Sequence, residues 1–188
     1  LMVKSSLQAV RDADSIIMMI DAPQGAITDQ ELRLLFYAYE QKKFVVVLFN
    51  KIDLLDDYSK AMLEDSIEKY DFILKKLPVL HISCLTKKNV CKILAAMQEI
   101  WARAAHPFNS TEINDAVQNF LMHRPLMHNG IQLRVFKVRH TQASVPTFIA
   151  HVNHPQWFGQ SEIGCLENII RKTYDLRGCP VQVQVRKV

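Results

Sequence analysis

Three apolar runs, each ending abruptly in polar residues, punctuate the first half of the chain: Ser15–Ile20 before Asp21, Phe44–Phe49 before Asn50, and Leu77–Ile82 before Ser83. Short continuous runs of β-branched, aromatic and aliphatic residues are the mark of strands buried on both faces, which implies a parallel sheet covered by helices. Between them lie segments of helical period. Val3 to Ala13 has Val3, Leu7 and Val10 at helical spacing, so the chain is expected to open inside a helix at Leu1. Thr28, with Glu31 three residues on, caps a helix through Gln41 whose apolar side is Leu32, Leu35, Phe36 and Tyr39. A long helix from about Ser59 to Lys76, a strand at 79–82 and a helix from about Lys87 to Ala104 complete three β-α units.

The pattern changes after His106-Pro107-Phe108-Asn109, where a proline and a polar turn set a boundary between residues 1–107 and 108–188. Ser110 or Thr111 caps a helix through about Met122, with Ile113, Val117, Phe120 and Leu121 on its apolar side. A loop containing Pro125 and Gly130 leads to Ile131–Arg139, which alternates as a half-exposed strand with Gln132 and Arg134 outward, joined by Lys137 or Arg139. Pro146–Val152 is a second strand, Gln160–Tyr174 a helix stopped by Gly178, and Val181–Arg186 a third strand of period two. This part is expected to be a small α+β domain, one sheet face packed by helices and the other polar.

Composition fits a globular chain of 188 residues, 49% hydrophobic, with no apolar run near the roughly 20 residues that cross a bilayer and no basic-then-apolar start of a signal peptide. A cytoplasmic protein without a membrane partner is the expectation. Cys84, Cys91, Cys165 and Cys179 form no Cys-x-x-Cys pair and no His/Cys metal spacing, so buried thiols are expected. Charge is uneven: residues 1–107 carry 14 basic and 14 acidic side chains, residues 108–188 carry 9 and 5, and the whole surplus of +4 falls in the second part. Five of the seven histidines are there too: His123, His128, His140, His151 and His154. That balance is compatible with RNA and equally with a solvated face.

The candidate chemistry sits where the second run ends. In parallel sheets ligands bind outside the carboxyl ends of the strands, where Asn50, Lys51 and Asp53 emerge. An ionised Asp53 accepts two hydrogen bonds at once and so can take the ring N–H and exocyclic amine of guanine, donors that adenine lacks at those places. The stem of Lys51 can lie across a base while its ammonium stays wet, and the Asn50 amide can brace neighbouring loops. Asn-Lys-x-Asp after a strand resembles the guanine-recognition element of P-loop GTPases; the plainer reading is a polar turn leading into a helix. Ser83-Cys84-Leu85, after the next strand, resembles the loop whose backbone N–H groups bind the guanine carbonyl, where Cys84 in place of alanine matters little if only its N–H is used.

Two similar-looking stretches are rejected. Asp21 to Gly25 has one residue too many for the Asp-x-x-Gly that senses the third phosphate, lies one strand too late, and is a strand-to-helix turn. Gly159–Leu166 has P-loop glycine spacing, but Cys165 and Leu166 stand where lysine and a hydroxyl are needed. No Gly-x-x-x-x-Gly-Lys-(Ser/Thr) occurs, so the phosphate-binding and Mg²⁺-binding half of such a domain is expected upstream of Leu1.

The Asn-Lys-Ile-Asp half, taken with Pro146 to Pro155, Cys165 to Lys172 and Gly178 to Arg186, resembles the Der (EngA) family of bacterial ribosome-assembly GTPases over nearly all 188 residues. The resemblance implies the latter part of the second of two tandem P-loop GTPase domains, an incomplete α/β parallel sheet, followed by a KH-like domain. It implies GTP/GDP binding, hydrolysis with Mg²⁺, and the large ribosomal subunit and its rRNA as partners. Asn50, Lys51 and Asp53 match the guanine-specificity motif and Ser83, Cys84 and Leu85 the last nucleotide loop; no catalytic or metal-binding residue is matched. Era-like proteins also join a GTPase to a KH domain, but theirs carries a Gly-x-x-Gly loop that clamps RNA, and none occurs here. A nucleotide-independent RNA- or ribosome-binding module is the other alternative.

Overall fold

The computed structural model describes the backbone of residues 2–188 and the side chains from Ser6 onward; the expectations at Leu1 and for the facing of Val3 lie outside the described residues. The chain divides into two compact units, Leu1–Ala102 with Arg177–Pro180, and Arg103–Leu176 with Val181–Val188.

In the first unit, helix α1 (Met2–Asp12) leads to strand β1 (Ser15–Asp21), helix α2 (Asp29–Glu40) to β2 (Phe44–Asn50), helices α3 (Asp57–Lys69) and α4 (Asp71–Leu74) to β3 (Val79–His81), and α5 (Lys92–Ala104) follows. The sheet is parallel in the order β1-β2-β3, with Asp21 beside Asn50 and Phe49 beside His81. Val45 to Phe49 of the middle strand are 0% exposed, as a run apolar on both faces requires. Leu35 and Ala38 of α2, Leu63 of α3 and Ile73, Leu74 and Leu77 bury against one side of it. Thr28 forms the full capping box with Glu31 that its spacing predicts.

Three expectations change. The single helix over 59–76 is two helices, because Tyr70 (φ −105°, ψ 19°) leaves helical geometry; the bend lets the neighbours Ile73 and Leu74, and Leu77 beyond, all reach the core. The helix expected near Lys87 begins at Lys92, since Lys87 and Asn89 are left-handed (φ 61° and 60°) and interrupt any helix there. Gly178 does not stop the helix before it, which ends at Thr173 and is capped at Tyr174. Instead Gly178 seats the Arg177–Pro180 segment within the first unit. Its N–H donates to Lys76 O (2.8 Å), and its carbonyl accepts from Val45 N–H (3.1 Å), a β2 group that lies below the start of β3.

The second unit comprises α6 (Ser110–His123), the hairpin β4 (Leu126–His128) and β5 (Ile131–Leu133), β6 (Val135–Thr141), β7 (Thr147–Val152), α7 (Gln160–Thr173) and β8 (Gln182–Lys187). The cap of α6 is Asn109, whose Oδ1 accepts from Thr111 N–H, rather than Ser110 or Thr111. The loop expected around Gly130 is the β4-β5 hairpin, turned by Asn129 (φ 48°) and Gly130 (φ 79°), the residue pair that a tight turn with two positive φ values prefers. The strand expected over 131–139 breaks at Arg134, and a bulge between Val135 and Lys137 leaves Phe136 out of alternation and 53% exposed.

The sheet order is β6-β7-β8, with β6 antiparallel and β8 parallel to β7. Phe148, Ala150 and Val152 are 0% exposed on the face packed by helices, whereas Ile149 and His151 between them are half-buried on the other. The free edge of β6 is closed by helix side chains. Asn114 donates to Val138 O (2.9 Å) and accepts from Val138 N–H (2.7 Å), and Gln118 donates to Val135 O (2.7 Å). One amide thereby replaces a neighbouring strand.

Two stability predictions follow from these contacts. A Cβ at Gly178 would lie 2.7 Å from Ile100 Cδ1 and Pro78 Cδ at φ +77°, so Gly178→Ala is expected to cost about 2–4 kcal/mol in urea denaturation. Asn114→Ala, which strips both Val138 groups of their partner, is expected to cost about 1–3 kcal/mol. A loss under about 0.5 kcal/mol would show that water serves that edge equally well.

Candidate functional site

The parallel register ends β1 and β2 at one level, Asp21 beside Asn50, and delivers the residues after β2 and β3 to the same rim. Backbone bonds continue the pairing past the strands: Ile82 N–H donates to Phe49 O (2.8 Å) and Ile52 N–H to Ile82 O (3.3 Å). Asn50 adds a side-chain link, its Oδ1 accepting from Cys84 N–H at 3.0 Å, while its Nδ2 lies 3.5 Å from Met19 Sδ. A crevice of about 520 Å³ is lined by Asn50, Lys51, Asp53, Leu54, Cys84 and Leu85. Five of the six residues picked from the sequence therefore share one wall.

Lys51 takes a left-handed conformation (φ 65°, ψ 33°), uncommon for a residue with a side chain, and the short 3₁₀ turn Ile52–Leu54 follows it. That reversal leaves Asp53 on the outside of the turn. Asp53 is exposed, and among the described residues no hydrogen bond or ion pair engages its carboxylate. Lys51 Nζ meets Asp21 Oδ2 at 2.6 Å. Both are partly solvated, so the pair contributes little to stability and acts chiefly to hold the lysine stem over the rim. Beneath, Asp56 accepts from the backbone N–H of Ser59 at 2.8 Å and from its hydroxyl, bonds that keep its carboxyl below the usual carboxylate range.

Ser83 is the sixth candidate and does not line the crevice. It is 0% exposed; its N–H donates to Lys88 O (3.1 Å) and its Oγ accepts from Thr86 N–H (3.0 Å), so it pins the loop from inside. With the Cys84 N–H held by Asn50, Leu85 N–H alone among residues 83–86 has no partner among the described residues. The loop is fixed further by Asn89 Nδ2, which donates to His81 O at 2.9 Å. His81 stacks on Phe49 with ring centroids 5.4 Å apart, and burial pushes its imidazole below the ordinary histidine value.

Sequence reasoning missed Asp21 and Leu54. Asp21 begins a strand-to-helix turn, as expected, and also supplies the carboxylate for Lys51. The signal for it was available in the two parallel runs that end in polar residues at one level. Among the described residues no group of three or more His, Cys, Asp or Glu could hold a metal ion, and no helix is long and apolar enough to cross a membrane.

Two family models match successive parts of the chain. The elongation factor Tu GTP binding domain matches residues 3–103. The family described as KH-domain-like of EngA bacterial GTPase enzymes, C-terminal, matches residues 108–186. Among similar proteins are GTPase Der of Desulforamulus reducens, 32% identical over 98% of this chain and 43% of its own length, and GTPase Der of Mycoplasma capricolum, 30% identical over 97% and 42%. The chain thus spans less than half the length of the curated relatives it matches. A solved structure of Era with MgGDPNP and nucleotides of 16S ribosomal RNA aligns over 100% of this chain and 70% of that one, at 16% identity and a TM-score of 0.42, too loose to bear on function.

The Asn50 link generates a prediction of its own. Removing the acceptor in Asn50→Ala should speed hydrogen exchange of the Cys84 amide roughly fivefold to tenfold, the equivalent of about one hydrogen bond, while the amides of β2 keep their protection. Unchanged exchange at Cys84 would mean the loop is held without the side chain.

Proposed function

Since this chain belongs to the Der (EngA) family of GTPases, we propose that Asn50, Lys51, Asp53, Cys84 and Leu85 bind the base of GTP and GDP, and that Ser83 shapes their loop. The observation that carries the reading is the free, exposed Asp53 carboxylate on a rim whose opposite side is tied to it through Asn50 and Cys84. A guanine entering the crevice offers its ring N–H and 2-amino group to Asp53, two charge-assisted bonds that adenine cannot make. The Lys51 stem, held by Asp21, covers one face of the ring. The unpartnered Leu85 N–H is the donor left for the base carbonyl, because Cys84 N–H already serves Asn50.

The wider reading is a GTP-hydrolysing protein of the cytoplasm that acts in assembly of the large ribosomal subunit, its KH-like part coupling nucleotide state to contact with rRNA. The basic surplus of residues 108–188 supports that division of labour. When bound, Mg²⁺ would neutralise charge on the phosphates of the nucleotide. The described residues do not fit such an ion, so no step of hydrolysis is assigned to them. Their part is choice of base.

Titration with GDP and ADP tests the assignment. Asp53→Ala is expected to weaken GDP binding about a hundredfold, as the loss of two bonds to a charged acceptor implies, and to leave ADP binding unchanged. Equal loss for both nucleotides would show that Asp53 only supports the loop. No nucleotide binding by the parent protein would favour a nucleotide-independent RNA- or ribosome-binding module.

A further inference from the structure

In the second unit an open groove lies between α6 and the stretch where β5 passes into β6. Gln118, Leu121 and Met122 form its helical wall, at the i, i+3, i+4 spacing that sets side chains in a row. The other wall is irregular chain rather than a paired strand, held by the Asn153 amide, which accepts from Arg134 N–H and donates to Gln132 O. The groove holds about 480 Å³ above the buried side chains of Leu121, Leu133 and Val135. Met122 and Phe136 also line it, yet they are 76% and 53% exposed. Met127 belongs to the same side. It pairs across the hairpin with Gln132, which lines the groove, and paired residues point one way; Met127 too is 53% exposed.

Large apolar side chains left in water around one cleft mark a surface that a partner covers. The charge along this stretch is of one sign: residues 116–161 contain no Asp or Glu and include Arg124, Arg134, Lys137 and Arg139. Arg134 lines the groove, is exposed, and has no ion pair among the described residues. We infer that the groove docks a short segment of a partner protein, which inserts apolar side chains between Met122, Met127 and Phe136 and sets an Asp or Glu against Arg134. The residue types suit that occupant. Methionine repacks around anchors of different shape, and aromatic residues and arginine are the types enriched where protein interfaces hold most tightly. A second copy of this chain is the poorer match, because a two-fold contact through this face sets Arg124 and Arg134 against their own images. A nucleic-acid strand is poorer as well. Five of the eight lining residues are apolar and one carries charge, whereas a phosphate backbone is held by a succession of cations. The inference is independent of the nucleotide reading, whose residues all lie in the first unit.

The test is an NMR titration of the full chain, labelled at its methionine methyls, with a panel of short synthetic peptides that combine leucine or phenylalanine with aspartate at different spacings. At least one peptide is expected to shift the Met122 and Met127 methyls saturably while those of Met18, Met62 and Met97 in the first unit stay in place. Exchanging its apolar residues for serine should weaken it about tenfold, as should Phe136→Ala in the protein. Arg134→Glu should weaken the aspartate peptide about tenfold and strengthen a lysine-for-aspartate version by a similar factor. Both protein side chains are exposed, and a thermal melt confirms that each variant is folded; if Phe136→Ala is not, Met122→Ala is read in its place through the Met127 methyl. The inference is overturned if no peptide of the panel shifts Met122 and Met127, if the first-unit methionines shift equally, or if Arg134→Glu treats the aspartate and lysine peptides alike. It is overturned in favour of a second copy if the two signals shift on dilution of the chain alone, and in favour of nucleic acid if a short single-stranded RNA shifts them at lower concentration than every peptide.

Discussion

The burial of β2 on both faces is the constraint from which the rest of the first unit follows. A strand with Val45 to Phe49 wholly shielded must have a neighbour on each edge and helices above and below, and parallel neighbours are joined by crossovers too long to hold their far ends together. The rim beyond β2 and β3 therefore depends on non-covalent links. Three of them run in series, from Phe49 to Ile82, from Ile82 to Ile52, and from Cys84 to the Asn50 side chain. The first two extend the ladder by backbone alone and would form with many sequences. The third needs a side chain of a particular length at the last position of the strand, and it sets how far apart the two loops sit.

Much of this was legible because apolar runs and their polar terminators are local signals. The three strands of the first unit, the Thr28 cap, and the shared wall of Asn50, Lys51, Asp53, Cys84 and Leu85 all follow from such patterns. What escaped depended on backbone geometry or on distant partners. Lys87 and Asn89 look like ordinary helix starters until their left-handed conformations are seen, and their reason lies in Ser83 and His81, which bond to Lys88 and Asn89. The hairpin at Asn129-Gly130 carried a recognised turn signal that the neighbouring Pro125 obscured. The bulge at Phe136 follows from no local rule, because Ile131 to Arg139 alternates well enough to pass for one strand.

Hydrogen bonds within the loop decide what Ser83 and Cys84 contribute. A loop whose N–H groups are to meet a ligand must leave some of them unpaired, and a hydrogen bond already made is unavailable to the ligand without rearrangement. Ser83 and Thr86 spend their N–H groups on the loop itself, Cys84 spends its own on Asn50, and Leu85 retains one. The functional pattern is what remains after the fold has taken its share, and sequence similarity alone does not perform that subtraction.

Side-chain amides recur where strands end, break or lack a neighbour on one side. Asn50 ends β2, Asn89 meets the last carbonyl of β3, Asn114 and Gln118 close the edge of β6, and Asn153 accepts from Arg134 N–H while donating to Gln132 O, where β5 gives way to β6. An amide carries both a donor and an acceptor, as a peptide unit does, so it can stand in for a strand at a single point without the apolar pattern a whole strand would need. A carboxylate at Asn114 or Asn153 could still accept the N–H but would face the neighbouring carbonyl with a second acceptor, placing two lone-pair-bearing oxygens where one hydrogen bond had been. An ammonium would satisfy the carbonyl and strand the N–H. Only a residue that both gives and takes completes the edge at Asn114 and the junction at Asn153, where one amide accepts an N–H and donates to a carbonyl.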